Sequence, residues 1–512
     1  MIIKNCLAAL PGEEHLLKKD IRVLNGKIQA IAEALDAAGD TVFDADGYEV
    51  FPGAIDSHVH FDEPGFTHRE DFYHGSMAAA RGGVTTVIDM PCTSLPPVFS
   101  TRALVNKLSH IQSRSVVDFA LYGGVSGELP RDVLAQLLNT QHLGQYEHSA
   151  SSDNRTAPHS AAKLNSPSTD SDKEVLTTAS NDDTMLEAME TLAPAVVGYK
   201  CYFISGMETF TAVNHYRFRK ALVKAAELKR PLLLHAEDPL LIEPATHYWK
   251  ALALKEGREA LWDDYVNSRN ELAELSAVAS ACALAWGYTN TLHIVHVGTA
   301  EAAELAWNAG ATAETCPHYL AFSRDDFAVH GSSLKTAPPV KARGQTEKLW
   351  RLLARNVITC VTSDHAPAPH EEKHTGSIWT DYGGIPGTGT VFPYLYSEGY
   401  RSGRISLNQF TALTTGNAAQ RYGLSGGKGS IAVGKDADFV FVHPRKQYTI
   451  RGDRLLSKGT LTPFEGKTLD GFIEITMIRG TIVWDARKTP EQPETCITVE
   501  PGFGKHLVWG YT

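Results

Sequence analysis

Cysteine is sparse in this sequence, and the cysteines that occur are not spaced for cross-linking. Seven of them are spread over 512 residues, at Cys6, Cys92, Cys201, Cys282, Cys316, Cys360 and Cys496. The number is odd, and no two of them form a CxxC pair. Such a set is typical of reduced thiols, because disulfide frameworks use an even number of regularly spaced cysteines. We therefore expect a cytoplasmic protein.

Long apolar runs and an excess of positive charge are also missing. No segment approaches the roughly 18 apolar residues that a membrane-spanning helix needs. The start of the chain, MIIKNCLAAL, becomes charged too early for a signal peptide. The formal net charge of −11 opposes binding to nucleic-acid phosphates or to anionic membranes. These absences predict no nucleic-acid partner and no membrane partner.

No GxGxxG motif follows the first strand-like run, which argues against an open doubly wound sheet, the main alternative for an α/β chain. Eight short apolar runs of strand type alternate instead with helix-like segments. The runs cover residues 54–61, 84–90, 116–124, 196–203, 231–237, 291–298, 311–317 and 357–364. This alternation predicts a (β/α)₈ TIM barrel with insertions.

The sequence pattern at the two ends of the chain is typical of short strands joined by tight turns. Asn25-Gly26 stands between two alternating runs and indicates a hairpin, and a similar alternation returns late in the chain. We expect the two ends, residues 1–52 and 427–490, to pair into one small composite β-sandwich domain. The barrel is expected to fill residues 53–426.

Two segments differ from these domains. Residues 147–183 are rich in Ser, Asn, Asp, Thr and Ala and have no apolar periodicity, which predicts a flexible polar insertion. A lid or an oligomer contact is the alternative for this insertion. Residues 491–512 contain Pro493 and Pro501, so we expect an extended C-terminal arm that could dock on a neighbouring chain.

The stretch FPGAIDSHVHFDEPG, residues 51–65, carries two histidines two positions apart, His58 and His60. On a β-strand, side chains at i and i+2 point to the same face. Both imidazoles could therefore bind one metal ion from a single strand. The alternative is a strand that holds two unrelated surface histidines.

Further polar residues stand at the predicted carboxyl ends of other barrel strands, where barrel enzymes place their reacting groups. They are Lys200, His235, His293, His296, Asp364 and His365. Several histidines with a carboxylate suit Zn²⁺ or a similar divalent ion.

Lys200 is the unusual member, because a lysine directed into a barrel is costly when it is unpaired. A neutral, desolvated amine can react with CO₂ to give a carbamate, whose two oxygens can bridge two cations. An ordinary ion pair and a Schiff-base lysine are the alternatives, and the residues alone leave the three readings open.

The residues of these motifs resemble those of the cyclic amidohydrolases, a group of the amidohydrolase superfamily. The group includes dihydroorotase, allantoinase, hydantoinase and dihydropyrimidinase. The resemblance is carried by PGAIDSHVHFDEPG, GGVTTVIDMP, VVGYKCYF, LLLHAED, HIVHVGT, ETCPHYL, LKTAPPV, TSDHAP and KGSIAVGKDADFV. It covers nearly the whole chain except residues 147–183 and the tail.

The resemblance implies a binuclear metal centre with a distinct role for each ligand. His58 and His60 would bind the more buried ion, and His235 and His296 the second. Lys200, as a carbamate, would bridge two divalent ions, expected to be Zn²⁺. Asp364 would ligate the first ion and act as general acid and base in opening a ring C–N amide bond. The family also implies a small cyclic amide as substrate, and a homodimer or homotetramer.

Three positions distinguish the members of this group by substrate. Dihydroorotases typically hold the substrate carboxylate with an arginine and two asparagines, where this chain has Asp62, Cys92 and Ala337. An aspartate would repel a carboxylate, so dihydroorotate is disfavoured unless Arg69 or His370 supplies the cation.

Allantoinases resemble the chain better at these points, with an HVHFNEPG-like first motif and a KCAPP-like loop. Hydantoinases usually have a tyrosine five residues after the bridging lysine, where this chain has Ser205. We therefore expect an allantoinase-like hydrolase of a cyclic ureide or imide, with dihydroorotase and hydantoinase or dihydropyrimidinase activity as alternatives. His318, His365, Gly384 and Gly387 are further expected to contact the substrate.

Two other classes share parts of this pattern. A non-catalytic homologue would be expected to have lost metal ligands, whereas all six ligand positions are filled here. A metal-dependent deaminase shares the barrel and the HxH motif but usually lacks the bridging lysine, so Lys200 argues against it.

Overall fold

The computed structural model describes residues 1–37, 39–127, 182–488 and 492–512. The predicted polar insertion lies outside these residues, except for its last two, which are part of the helix 182–192. None of the helices in the described ranges combines the length and the apolar character needed to cross a membrane.

The described strands are β1 (Ile2–Ala8), β2 (Leu17–Leu24), β3 (Lys27–Ala32), β4 (Val42–Asp44), β5 (Glu49–Pro52), β6 (Ala54–Val59), β7 (Val84–Asp89), β8 (Asp118–Leu121), β9 (Gly123–Gly124), β10 (Tyr199–Tyr202), β11 (Leu232–His235), β12 (Leu292–Ile294), β13 (Thr312–Thr315), β14 (Cys360–Val361), β15 (Phe439–Thr449), β16 (Thr468–Ile478) and β17 (Thr481–Asp485).

The described α-helices are 182–192 and Phe72–Arg81, Thr101–Ile111, His215–Glu227, Pro239–Glu256, Trp262–Ser268, Glu271–Leu284, Ala300–Asn308, Pro317–Ala321, Phe327–His330, Arg343–Ala354, His370–Lys373, Val391–Tyr394, Leu407–Thr411 and Asn417–Arg421. Short polar side chains fix where several of them begin. Asp71 accepts a hydrogen bond from the His74 amide at 2.9 Å, and Asn214 accepts one from the Arg217 amide at 2.8 Å. Such caps satisfy amides that have no partner within the helix.

Eight parallel strands form the barrel. Strands β6 to β8 pair in one sheet and β9 to β14 in another. Because β8 and β9 are separated only by Tyr122, they act as one strand that joins the two sheets. The ring is completed where the His60 amide donates to the His365 carbonyl at 2.7 Å. The predicted α/β TIM barrel is confirmed.

The two ends of the chain meet in one eight-stranded sheet, with the order β17-β16-β15-β5-β1-β2-β3 and β4 paired to β1. The contact between the ends is antiparallel, from Phe439 opposite Pro52 to Val442 opposite Glu49. The Asn25-Gly26 hairpin is confirmed, and both residues adopt the positive φ that its turn requires. The prediction that the chain ends pair is therefore correct, while the boundaries of the domains stay a prediction.

The C-terminal arm packs against its own barrel. The Phe119 amide donates to the Lys505 carbonyl at 2.9 Å, and the Leu507 amide donates to the Phe119 carbonyl at 2.7 Å. The His506 ring stacks on Phe119, with 5.5 Å between ring centres. The arm thus adds a short parallel segment beside β8, and these contacts are made within its own chain.

A buried lysine joins the barrel to the terminal sheet. Lys428 Nζ lies 2.6 Å from Asp118 on β8, 2.9 Å from Asp436 and 2.6 Å from Asp438. Its side chain is 2% exposed, so water cannot replace these partners.

We expect Lys428→Met to destabilise the fold by about 3–5 kcal/mol, because it leaves three carboxylates buried around an apolar side chain. Chemical denaturation measures this loss. The matched control is Lys467→Met, which removes a half-exposed pair with Glu398 at 3.6 Å and should cost at most about 1 kcal/mol. Equal losses in the two variants would contradict the prediction.

Candidate active site

Strand β6 and the turn after β14 bring the first group of predicted metal ligands together. His58 lies on β6 and His60 directly after it, and their Nε2 atoms lie 3.2 Å and 3.4 Å from Asp364 Oδ1. All three side chains are buried or nearly so. Asp364 has a φ of 49° and lies three residues beyond the end of β14, in a turn that directs its carboxylate toward both histidines. The three groups could hold one divalent ion.

A second pair of imidazoles lies beside the first group. His235 ends β11 and His296 follows β12, and His235 Nδ1 lies 2.9 Å from His296 Nε2. The His296 ring is also 5.5 Å from the His58 ring, measured between centres. Both pairs therefore face the same end of the barrel.

Lys200 lies on β10, the strand next to β11, and its side chain is fully buried. Its amine has no hydrogen-bond partner among the described residues and lies 4.7 Å from the centre of the Tyr202 ring. Burial lowers the pKa of this amine. An unpaired buried amine is unfavourable in isolation, so its placement indicates a group or ion that the chain itself does not supply.

The chemistry of this donor set fits divalent metal. It combines imidazole nitrogens and a carboxylate, both of which Zn²⁺ prefers as ligands, with a buried amine at the carboxyl ends of parallel strands. The structure places the six predicted ligand positions, His58, His60, Lys200, His235, His296 and Asp364, around one end of the barrel.

Outer contacts orient the histidines, and sequence reasoning missed them. His58 Nδ1 lies 2.5 Å from Glu314 Oε1, and Glu314 Oε2 lies 3.1 Å from His293 Nε2. His235 Nε2 lies 2.9 Å from Glu237 Oε2, and Glu237 in turn pairs with Arg269. A carboxylate on the far nitrogen fixes the tautomer of a metal-binding histidine. The signal for Glu314 was a charged residue inside an apolar strand-like run.

We expect Glu314→Gln to weaken metal affinity about 10–100-fold, because the amide no longer fixes the tautomer and orientation of His58. Metal titration by isothermal calorimetry measures this change. Glu301→Gln is the control, since Glu301 pairs with Lys348 at 2.6 Å on the surface. Unchanged affinity in Glu314→Gln would show that His58 is oriented by other contacts.

A cavity of about 590 Å³ opens above these residues. Its wall includes three of the predicted substrate-contacting residues, Cys92, Ser205 and Ala337. It also includes residues that sequence reasoning did not select, namely Thr93, Tyr202, Tyr265, Arg269, Lys335, Trp379, Asp381 and Tyr382. The predicted residues Asp62, His318, His365, Gly384 and Gly387 lie outside the described wall, although Gly383 is part of it.

Two of the residues outside the wall are buried close behind it. Asp62 is fully buried, its carboxylate oxygens lack hydrogen-bond partners within the described chain, and burial raises its pKa to about 8. Burial lowers the pKa of His318 to about 4, so that imidazole is neutral. Neither residue adds a positive charge to the site.

His365 has a supporting position. Its Nδ1 accepts hydrogen bonds from the Gly387 and Thr388 amides at 3.1 Å and 3.3 Å, and its Nε2 lies 3.1 Å from Glu70. It therefore anchors the glycine-rich segment beside Asp364.

The basic residues that could have held a substrate carboxylate have other partners. Arg69 donates to Glu372 at 2.6 Å, and the His370 ring stacks on His374 at 4.2 Å. Neither residue belongs to the described cavity wall. Arg269 does belong to it, but its guanidinium is paired with Glu237. Lys335 also lines the cavity, and its amine donates to the Ile378 and Asp381 carbonyls at 2.6 Å and 2.5 Å.

Residues 50–483 match the amidohydrolase family. The chain belongs to this family. Allantoinase of Escherichia coli O1:K1 is 32% identical over 495 residues, which is 95% of each chain. The L-hydantoinase (dihydropyrimidinase) of Arthrobacter aurescens has a similar structure, with a TM-score of 0.79, 26% identity and 98% of each chain covered. D-hydantoinase of Bacillus sp. AR9 has a TM-score of 0.79 at 25% identity, with 100% of each chain covered.

These matches confirm the family that the motifs indicated. This amidohydrolase is a hydrolase of the class that acts on carbon–nitrogen bonds in cyclic amides. Its candidate metal-binding groups include His58, His60 and Asp364, in keeping with the general dependence of the family on metal.

Proposed function

We propose that this chain is a binuclear-metal, allantoinase-like amidohydrolase that opens the ring of an uncharged cyclic ureide or imide. The observation that carries the proposal is the convergence of four histidines and Asp364 beside the buried amine of Lys200, which has no hydrogen-bond partner among the described residues. The allantoinase relative at 32% identity over 95% of the chain supports the substrate class.

The proposed ligands divide between two Zn²⁺ ions. His58, His60 and Asp364 would hold the first ion, and His235 and His296 the second. Lys200 would carry a carbamate derived from CO₂ and bridge both. This would remove the unpaired amine and supply the anion that two neighbouring dications require. When bound, the ions lower the pKa of water to about 7 and polarise the carbonyl of the substrate.

The residues of the chain supply the remaining steps. Asp364 lies where it can accept the proton of the attacking water and later deliver it to the departing ring nitrogen, as a general base that becomes a general acid. The outer pairs of His58 with Glu314 and of His235 with Glu237 keep both imidazoles oriented throughout. The products would be ring-opened acids.

We also propose a cytoplasmic homodimer or homotetramer. The described residues include all seven cysteines, and none of them is in a disulfide, as expected of a reducing compartment. The helix Pro239–Glu256 exposes apolar side chains, with Leu240 81%, Tyr248 60% and Leu254 82% exposed. A second copy of the chain would cover such a face. Light scattering of the purified protein tests this part, and a monomer would contradict it.

A ring panel with metal analysis tests the main proposal. The purified protein is assayed on allantoin, dihydroorotate, hydantoin, dihydrouracil and a cyclic imide, and its metal content is measured. We expect about two ions per chain and turnover of allantoin or another uncharged ring. Efficient turnover of dihydroorotate would contradict the substrate argument. Protein that binds no metal and opens no ring would instead support a non-catalytic homologue.

A further inference from the structure

Tyr202 occupies the centre of the candidate site without belonging to its ligand set. It ends β10 and lies two residues after Lys200, so both side chains point to the same face of the strand. Its ring stacks on His235, with centres 5.1 Å apart and planes 29° apart. The ring centre lies 4.7 Å from Lys200 Nζ. Tyr202 is 7% exposed and lines the cavity.

Within the described part of the chain, the hydroxyl group of Tyr202 has only a weak partner. It lies 3.0 Å from Cys92 Sγ, and that sulfur is 3.8 Å from His60 Nδ1. A thiol is a weak donor and a weak acceptor, whereas a buried phenol normally finds a strong one. The Tyr202 hydroxyl is therefore poorly satisfied by the chain, at a point where the wall of the cavity faces a ligand.

Two other hydroxyls in the wall, those of Ser205 and Tyr265, are already engaged. Ser205 donates to the Phe210 carbonyl at 2.7 Å and accepts from the Met207 amide at 3.2 Å. Tyr265 donates to the Thr336 carbonyl at 2.8 Å. Ser205 stands where hydantoinases usually have a tyrosine, and its hydroxyl serves its own loop.

We infer that Tyr202 donates a hydrogen bond to the carbonyl oxygen under attack, with Cys92 holding the phenol in place. This inference rests on the proposed function. Hydroxide adds to the ring carbonyl carbon, and the π electron pair moves onto the oxygen, which accepts the Tyr202 hydrogen bond without proton transfer. When the C–N bond breaks, its electron pair stays on nitrogen, which takes the proton from Asp364. One water is consumed, and the carbonyl is restored as a carboxylic acid.

Tyr202→Phe tests this role, because it removes one oxygen atom and keeps the ring on His235. We expect kcat to fall about 10²–10³-fold with a change in KM of less than about threefold, since the bond strengthens as charge develops on the oxygen. Metal content and the melting temperature should match those of the wild type. A Tyr202→Phe enzyme with the kcat of the wild type would overturn the inference.

Tyr199→Phe is the matched control. Tyr199 lies on the same strand, but its hydroxyl donates to the Met189 carbonyl and it does not line the described cavity. This variant should keep the kcat of the wild type. If the wild type opens no ring, the proposed function fails, and calorimetric binding of a cyclic phosphinate, whose tetrahedral oxyanion resembles the attacked carbonyl, then tests Tyr202 separately. Equal affinity of the wild type and Tyr202→Phe for this phosphinate would overturn the inference in that case.

Discussion

Asp364→Asn is expected to lower kcat on the preferred ring by about 10³–10⁴-fold, because one residue loses two functions. The amide cannot accept the proton of the attacking water, and it is a poorer metal ligand than a carboxylate. In the structure this carboxylate lies 3.2 Å from His58 and 3.4 Å from His60, so its loss affects the centre of the first group. Steady-state kinetics with parallel metal analysis separates the two functions.

Kinetics and metal content together show whether Asp364→Asn has lost proton transfer or a metal ligand. A variant that keeps both ions but loses kcat has lost proton transfer, whereas a variant that loses one ion has lost a ligand. Asp263→Asn is the control, because Asp263 is a surface residue that pairs with Arg324. Activity of Asp364→Asn near that of the wild type would remove Asp364 from the mechanism.

Lys200→Met is expected to have opposite effects on function and on stability. Activity should fall about a thousand-fold or more, because the bridging anion is lost and the second ion binds weakly. The metal-free protein should nevertheless be at least as stable as metal-free wild type, since the amine is fully buried without a hydrogen-bond partner in the described chain. Calorimetric melting of the two metal-free proteins measures the second effect.

A second buried lysine provides the matched control for Lys200. Lys107 Nζ is fully buried, but it lies 2.8 Å from Asp89 and donates to the Glu63 carbonyl at 2.8 Å. Lys107→Met should therefore lower stability by about 3–5 kcal/mol. If Lys200→Met lowered the stability of the metal-free protein as much as Lys107→Met does, Lys200 would have a partner of its own. Intact mass of the wild type under CO₂ should also show the acid-labile carbamate.

The sequence allowed the barrel to be predicted, together with the polar residues at the carboxyl ends of its strands, because both depend on local periodicity. The i and i+2 spacing placed His58 and His60 on one face, and apolar runs located the strands. The runs were longer than the strands, however. Strand β14 ends at Val361, and Asp364 lies beyond it with a positive φ. His296 likewise lies beyond its strand with a positive φ, so part of the site is built from turns that periodicity does not locate.

The contacts between strands could not be predicted from one sequence. Glu314 meets His58 and His293 from a different strand, and Glu237 meets Arg269 from a helix boundary. Such pairs depend on the closure of the barrel and not on spacing along the chain. Tyr202 was overlooked for the same reason, since only the fold brings its hydroxyl to Cys92. Asp62 and His318 were expected to contact the substrate, but both are buried outside the described cavity wall. Sequence periodicity does not show how far a side chain lies from a cavity.

The antiparallel contact between β5 and β15 also has a consequence for how the chain is made. Strand β5 ends at Pro52, and its neighbour β15 begins at Phe439. At roughly 5–20 residues per second during translation, β5 waits on the order of 20–80 s for this partner. During that time it presents an unpaired strand edge, the kind of surface through which nascent chains associate wrongly. Shielding by chaperones on the ribosome therefore matters most before residues 439–449 have been synthesised.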